Sequence, residues 1–352
     1  MKSFADRVIA WQKCYGRHQL PWQQTKNPYH IWVSEIMLQQ TQVETVKGYY
    51  DRFIACFPTV DALAKADFDE VIRLWAGLGY YARARNLHKA AIQIMTTFHG
   101  HFPKRSNELE SLPGIGRSTA AAITAFAFDA KATILDGNVK RILSRYFTIS
   151  DEINSAKTIQ KLWVLAEQLL PNYDINHYVQ GLMDLGSLVC KPSQPTCQSC
   201  PVHEDCAAYL ASSVHSYPVR KKAKAKLTKA AIFFILLSDD RRVLLEKRPS
   251  KGIWSGLWCF PSIDIDPGSS IAAIIQTASN HLQEGFHKLR LLPAFQHVFT
   301  HFKLQIYPII CEQPIKQDKS HYPHQCWFFP DEAQYIGIPK PTSDLLKQMG
   351  LS

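Results

Sequence analysis

Four cysteines crowd one short stretch, Cys190-x6-Cys197-x2-Cys200-x5-Cys206, while Cys14, Cys56, Cys259, Cys311 and Cys326 lie scattered along the chain. Nine cysteines is an odd number, and the start, Met1-Lys2-Ser3-Phe4-Ala5-Asp6, lacks a secretory leader. An intracellular, reducing setting is therefore expected, and the crowded four read as a metal site rather than as disulfides. Soft ligands at loop spacing, with Pro192 and Pro201 keeping the segment out of helix, suit tetrahedral zinc and a four-iron cluster alike. Spacing does not choose between them. Two carboxylates also stand out. Glu35 sits in a largely apolar helical run from Ile31 to Leu38, where it is either a salt-bridged structural group or an acid that keeps its proton. Asp136, in Asp136-Gly137-Asn138, follows the apolar run 132–135 and opens a helix carrying Lys140 and Arg141, as an N-cap does.

The segment Leu112-Pro113-Gly114-Ile115-Gly116-Arg117-Ser118-Thr119-Ala120 places two glycines between helical runs. Such a turn exposes backbone N–H groups beside a helix N-terminus and is suited to grip a phosphate, the plainer alternative being a helix-packing corner. The 40 basic against 30 acidic side chains, a formal charge of +10, favour a polyanionic partner without proving one. No apolar run is long enough for a membrane span.

These groups need elements to position them. Apolar residues at three- and four-residue spacing predict helix after helix up to about residue 210: from Asn27-Pro28 through Gln40, from Asp67 to Gly77-Leu78-Gly79, then 80–98, 118–128, 138–147, 155–170 and 175–189. From 212 to 229 the composition turns to Ser, Pro and Lys/Arg, including Arg220, Lys221, Lys222, Lys224, Lys226 and Lys229, which reads as a solvated tether or as a strap that also touches phosphate. Beyond it, short β-rich runs at 230–237, 242–246 and 288–311, with a helix at 269–283, predict an α+β domain. With 352 residues the expectation is two cores: 1–211, a basic linker 212–229, and 230–352.

The run Ser34-Glu35-Ile36-Met37-Leu38-Gln39-Gln40-Thr41-Gln42-Val43 resembles a motif of the adenine DNA glycosylases of the MutY type, a branch of the iron–sulfur helix-hairpin-helix DNA glycosylases. Leu20-Pro21-Trp22, the segment from Trp75 to Leu87, the glycine turn, Asp136 and the cysteine loop carry the same resemblance, which covers residues 1 to about 210. Residues 230–352 resemble the Nudix-like domain of that family, through Arg248-Pro249, the run from Gly252 to Pro261, and Phe299-Thr300-His301.

The resemblance implies a multidomain chain: an all-α helix-hairpin-helix glycosylase domain with a [4Fe-4S] loop, then an α+β Nudix-like domain. It implies that Glu35 protonates the adenine ring, that Asp136 stabilises the positive charge developing on the sugar, and that Asn138 supports it. Two carboxylates dividing those duties leads us to expect unequal pKa values. The implied DNA and base contacts are Trp22, Leu38, Gln40, Thr41, Val43, Leu78, Tyr80, Gly114, Gly116 and Ser118, with Phe299, Thr300 and His301 inspecting the opposite base. The relatives carry serine where this chain has Thr300. Cys190, Cys197, Cys200 and Cys206 would hold a [4Fe-4S] cluster with a structural and docking role. Ser118 stands where bifunctional relatives have a Schiff-base lysine, so strand cutting should be weak or absent. A Nudix hydrolase needs a run of glutamates for magnesium, and residues 274–285 offer only Glu284, so nucleotide hydrolysis is not expected.

The resulting expectation is a cytoplasmic, nucleoid-associated bacterial monomer that flips and removes adenine paired with 8-oxoguanine or guanine in double-stranded DNA. Two other readings stay open: a pyrimidine-lesion glycosylase with lyase activity, and a lesion-binding protein without catalysis.

Overall fold

The computed structural model describes residues 2–221, 225–238, 240–249, 251–282, 289–311 and 324–350. Lys222, Lys224, Glu284 and Lys288, all used in the sequence reading, lie outside the described residues. The helices run α1 Phe4–Tyr15, α2 Pro28–Leu38, α3 Val43–Cys56, α4 Val60–Lys65, α5 Phe68–Trp75, α6 Ala82–Thr97, α7 Ser106–Glu110, α8 Arg117–Phe128, α9 Gly137–Tyr146, α10 Ala156–Gln168, α11 Ile175–Asp184, α12 Ala207–Leu210, α13 Ile271–Leu282 and α14 Lys340–Gln348. The strands are β1 Leu227–Ile235, β2 Val243–Lys247, β3 Trp258–Cys259, β4 Ser262–Ile265, β5 Leu289–Leu291, β6 Phe295–Val298, β7 Phe302–Cys311 and β8 Gln325–Phe328. Among the described residues no helix is long and apolar enough to cross a membrane.

The chain divides into two compact units, one made of Met1–Lys65 and Asn86–Lys222, the other of Ala66–Arg85 and Ala223–Ser352. The division falls within the basic stretch 212–229, and β1 begins inside that stretch, at Leu227. The segment 66–85, which the sequence reading grouped with the helical domain, belongs to the second unit.

In the first unit the regular elements among the described residues are helices. Apolar side chains of α1, α8, α9, α10 and α11 meet in one core, with Val8, Ala125, Val139, Leu143, Leu162, Val179 and Leu185 all buried. Small residues let these helices approach closely. A Cβ added at Gly181 of α11 would come within 2.8 Å of Val8 Cγ1 and 3.1 Å of Gln12 Cβ on α1. The glycine turn behaves as its composition suggests: Gly114 has φ +81 and no room for a side chain, since an added Cβ would meet Asn86 Cβ at 2.8 Å. Gly116 then caps α8, and nothing lies within 4 Å of where its Cβ would be.

In the second unit β1 pairs in parallel with β7 and antiparallel with β4, giving the order β4-β1-β7-β5 with β6 also on β7. A smaller sheet has the order β3-β2-β8. Alternate residues of β1 face opposite layers. Ala231, Phe233 and Ile235 pack with Leu304, Ile306 and Leu345, whereas Ile232, Phe234 and Leu236 pack with Ile274 and Ala278 of α13. Burial on both faces explains why 230–237 reads as an unbroken apolar run.

The tight crossing of α1 and α11 yields a test. Gly181→Val forces the helices apart, and valine's helix propensity is little better than glycine's. It is expected to cost about 1–3 kcal/mol, measured as a lowered thermal midpoint with unchanged helical circular dichroism below the transition. An unchanged midpoint would show that the helices part freely.

Candidate active site

Asn27 caps α2, its Oδ1 accepting from Tyr29 N at 3.0 Å, with Pro28 at the first helical position. Tyr29, Ile31, Trp32, Val33, Ile36 and Met37 are buried, so the helix is seated on nearly all sides. Glu35 is carried by this apolar helix and lines a cavity of roughly 650 Å³, counting space open to solvent, together with Trp22, Gln12, Arg17, Gln180 and others. Burial first, and the charge of Asp136 second, push its carboxyl up from 4.5 to about 8. Trp22, in the short turn after Leu20, packs edge-to-face on Tyr50 with ring centroids 5.3 Å apart.

Asp136 caps α9, as its place in the sequence suggests. Its Oδ1 accepts from Val139 N at 2.8 Å and its Oδ2 from Asn138 Nδ2 at 3.1 Å. Burial raises this carboxyl too, with those bonds and the charge of Arg141 opposing the rise. The unequal pair expected from the sequence thus has a physical basis, because Asp136 has hydrogen-bond donors that favour its anion while the causes acting on Glu35 both favour its acid form.

Asn138 Oδ1 accepts in turn from Arg141 Nη2 at 2.8 Å. The same guanidinium donates to Gly186 O at 2.7 Å and, through Nε, to Cys190 O at 2.7 Å. Gly186 lies in a π-helical turn, Leu185–Val189, and an added Cβ there would meet Asn138 Cβ at 2.4 Å. The helix opened by Asp136 is therefore tied directly to the start of the cysteine loop. Ser118 Oγ accepts from Leu135 N at 3.0 Å and so steadies the backbone just before Asp136.

The four cysteines Cys190, Cys197, Cys200 and Cys206 line one cavity with Ile142, Leu185, Val189, Val202 and Tyr209. Arg145, buried beneath it, donates to Cys190 Sγ at 3.2 Å and to Lys191 O at 2.8 Å. Burial raises the Cys200 thiol to about 12 and pushes Cys197 and Cys206 upward, with the neighbouring cysteines adding to each shift. Among the described residues no three His, Cys, Asp or Glu converge on a point that suits a single metal ion.

Other residues singled out from sequence lie elsewhere. Leu38 ends α2, Val43 begins α3, and Gln40 and Thr41 lie in the turn between them; none is among the residues lining the Glu35 cavity. Gln40 there is exposed and has φ +58, a strained value for a non-glycine residue. In the second unit, Leu78 is buried and Tyr80, 47% exposed, has φ +49, with the Arg83 guanidinium 5.4 Å from its ring centroid. Phe299 is turned inward. Its ring stacks on Phe302 at 4.5 Å and meets His297 at 4.6 Å and Trp254 at 5.2 Å, which leaves Thr300 and His301 exposed at the tip of the turn.

Sequence reasoning missed Arg17, Gln180, Asp184 and Arg145. Gln180, Asp184 and Arg145 are polar residues inside helices and Arg17 lies in the loop after α1, and neither setting names a partner.

Comparison with known proteins gives the family of the chain. Residues 33–168 match the family of HhH-GPD superfamily base excision DNA repair proteins, and residues 232–348 match the NUDIX domain family. An adenine DNA glycosylase of Buchnera aphidicola subsp. Baizongia pistaciae is 38% identical over 346 residues, 98% of this chain and 96% of that one. The human adenine DNA glycosylase is 32% identical over 369 residues, 88% of this chain and 67% of that one. The solved structure of a thermostable thymine-DNA glycosylase superposes with TM-score 0.55 at 30% identity, covering 59% of this chain and 95% of its own. A helical glycosylase fold with a caged carboxyl, a four-cysteine loop, a Nudix-like second unit and a 38% identical relative matched over nearly its whole length place this chain in the adenine DNA glycosylase family.

Proposed function

We propose that this chain removes adenine paired with 8-oxoguanine or guanine in duplex DNA, hydrolysing the N-glycosidic bond in base excision repair without cutting the strand. One observation carries the reading: a carboxyl held protonated near neutral pH, by burial and by a second carboxyl, faces a cavity beside Trp22. Flipped adenine fits such a cavity, with an aromatic wall to pack on. Glu35 donates its proton to the ring, so the base leaves as a neutral species. Asp136, whose anion is favoured by Val139 N, Asn138 and Arg141 against the burial that raises its carboxyl, stabilises the positive charge on the sugar until water attacks. Asn138 orients Asp136. With Ser118 in place of an amine, no imine forms on the sugar at that position.

The exposed pair Thr300 and His301 reads the opposite base in this proposal, and Phe299 anchors their turn. The threonine hydroxyl offers the donor and acceptor that a serine would. The four cysteines hold a [4Fe-4S] cluster: their shared apolar cavity fits the group, and the crowding of four thiols favours a cationic core that takes them as thiolates. When bound, the cluster supplies structural order to the loop that docks on DNA; Arg145 and Arg141 hold that loop through Cys190.

Four measurements test this. Glu35→Gln is expected to lower single-turnover excision of adenine opposite 8-oxoguanine by about 10²- to 10⁴-fold while duplex binding persists; retained excision would sink the acid assignment. Borohydride is expected to trap no covalent DNA adduct, and a trapped adduct would favour the lyase reading instead.

Because the reaction needs Glu35 protonated and its pKa is raised to about 8, the wild-type rate is expected to be level below that pH and to fall about tenfold per unit above it. The stability that this group contributes runs the same way, present at low pH and lost as pH rises through about 8. A rate that rises through this range would contradict the role. Metal analysis is expected to find about four irons per chain with broad visible absorption, and one zinc in a colourless protein would overturn the cluster.

A further inference from the structure

Asp184 ends α11 with its side chain wholly buried, at 0% exposure. It accepts from Arg17 N at 2.9 Å, from Arg17 Nε at 2.6 Å and from Gln180 Nε2 at 3.0 Å. Both Arg17 and Gln180 line the cavity that holds Glu35, and Arg17 Nη2 also donates to Ser187 Oγ at 3.0 Å. A carboxylate surrounded by three N–H donors acts only as an acceptor. Asp184 Oδ1 takes one N–H of the Gln180 amide and so fixes which end of that amide is nitrogen. The accepting end, its carbonyl oxygen, is thereby kept away from the carboxylate. Gln12 lines the same cavity, is 2% exposed, and has an Oε1 with no hydrogen-bond partner among the described residues.

We propose that Asp184 is a positioning residue that makes the α1–α11 wall of this cavity select a purine bearing a 6-amino group, by holding Gln180 with its carbonyl toward the base. The inference rests on the reading that the cavity receives the flipped base. An amino group at position 6 donates to such a wall. A 6-oxo group, as in hypoxanthine, brings lone pairs against lone pairs. A glutamine free to rotate its amide would accommodate either substituent, because its two ends are nearly the same size. The buried carboxylate removes that freedom, since turning the amide over would set two acceptors against each other in a desolvated place. Sites built to pair with one polar group reject an analogue that lacks it far more strongly than apolar walls do.

The test compares single-turnover excision of adenine, hypoxanthine and unsubstituted purine placed at the same position of one duplex. Asp184→Asn leaves a neighbour that accepts or donates equally well, so the amide of Gln180 is no longer locked. The expected result is a fall of about ten- to a hundredfold in the adenine-to-hypoxanthine rate ratio, while purine, with nothing at position 6 to read, changes by less than about threefold. Gln180→Leu and Gln12→Leu are expected to narrow the same ratio. In the Gln180→Leu background, Asp184→Asn should leave the ratio where it was, the non-additivity of two groups acting as one.

Equal losses on all three bases would assign Asp184 a merely structural role and overturn the proposal. So would an effect of Asp184→Asn that persists in Gln180→Leu. Should Asp184→Asn not fold, an unmoved ratio in Gln180→Leu alone overturns it. Full activity of Glu35→Gln would instead sink the reading of the cavity itself, so the two failures are distinguishable.

Discussion

Burial of the Glu35 carboxyl within an apolar helix is the constraint on which the rest of the site depends. In water this group would ionise well below neutral pH; on α2, with Ile31, Trp32, Ile36 and Met37 packed around the helix and the charge of Asp136 nearby, ionisation is postponed to about pH 8. The surrounding apolar side chains therefore do two jobs: they seat α2 in the core, and they keep a proton available. Asp136 meets the same desolvation with a different outcome, because its oxygens are loaded with N–H donors and a guanidinium lies close. Both carboxyls are raised by burial, and hydrogen bonds with the charge of Arg141 oppose that rise at Asp136 and not at Glu35.

Holding that anion in place draws on distant parts of the chain. The line Asp136, Asn138, Arg141, Gly186 and Cys190 joins the cap of α9 to the π-helical turn and to the first cysteine. The missing side chain at Gly186 allows Asn138 to come so close. A side-chain network of this kind has two consequences: the cysteine loop and the Asp136 cap share a guanidinium, and disorder in one is felt in the other. Arg145 repeats the pattern one turn later, gathering the carbonyls of Lys191, Pro192 and Tyr217 around a buried charge.

The second unit shows how a small surface turn becomes rigid. Phe299 surrenders its ring to a cluster with Trp254, His297 and Phe302, and its amide bonds back to Phe302 O at 2.9 Å. Lys226 Nζ donates to Phe299 O at 2.8 Å, so a lysine of the basic stretch closes the turn rather than reaching out. From sequence that stretch reads as a tether or as a phosphate strap; within the second unit this lysine also holds the Phe299 turn. The exposed residues Thr300 and His301 are the part left free to meet a ligand.

Much of this was legible in the chain itself. Four cysteines in a loop, a carboxylate inside an apolar run, an aspartate at a helix start and a turn with two glycines are local patterns, and local patterns survive because burial periodicity and turn chemistry act over a few residues. The helices and the both-faces-buried strand β1 were readable for the same reason. Tertiary structure alone decided which side chains share a cavity. Asp184 is 167 positions from Arg17, and Arg145 is 72 from Tyr217, so nothing in their neighbourhoods names the partner. Tertiary structure also put 66–85 with the second unit and turned Leu38 and Val43 away from the lining of the Glu35 cavity. Desolvation and hydrogen-bond partners are properties of the packed chain, and a carboxylate becomes an acid, an anion or a clamp only when distant segments close over it.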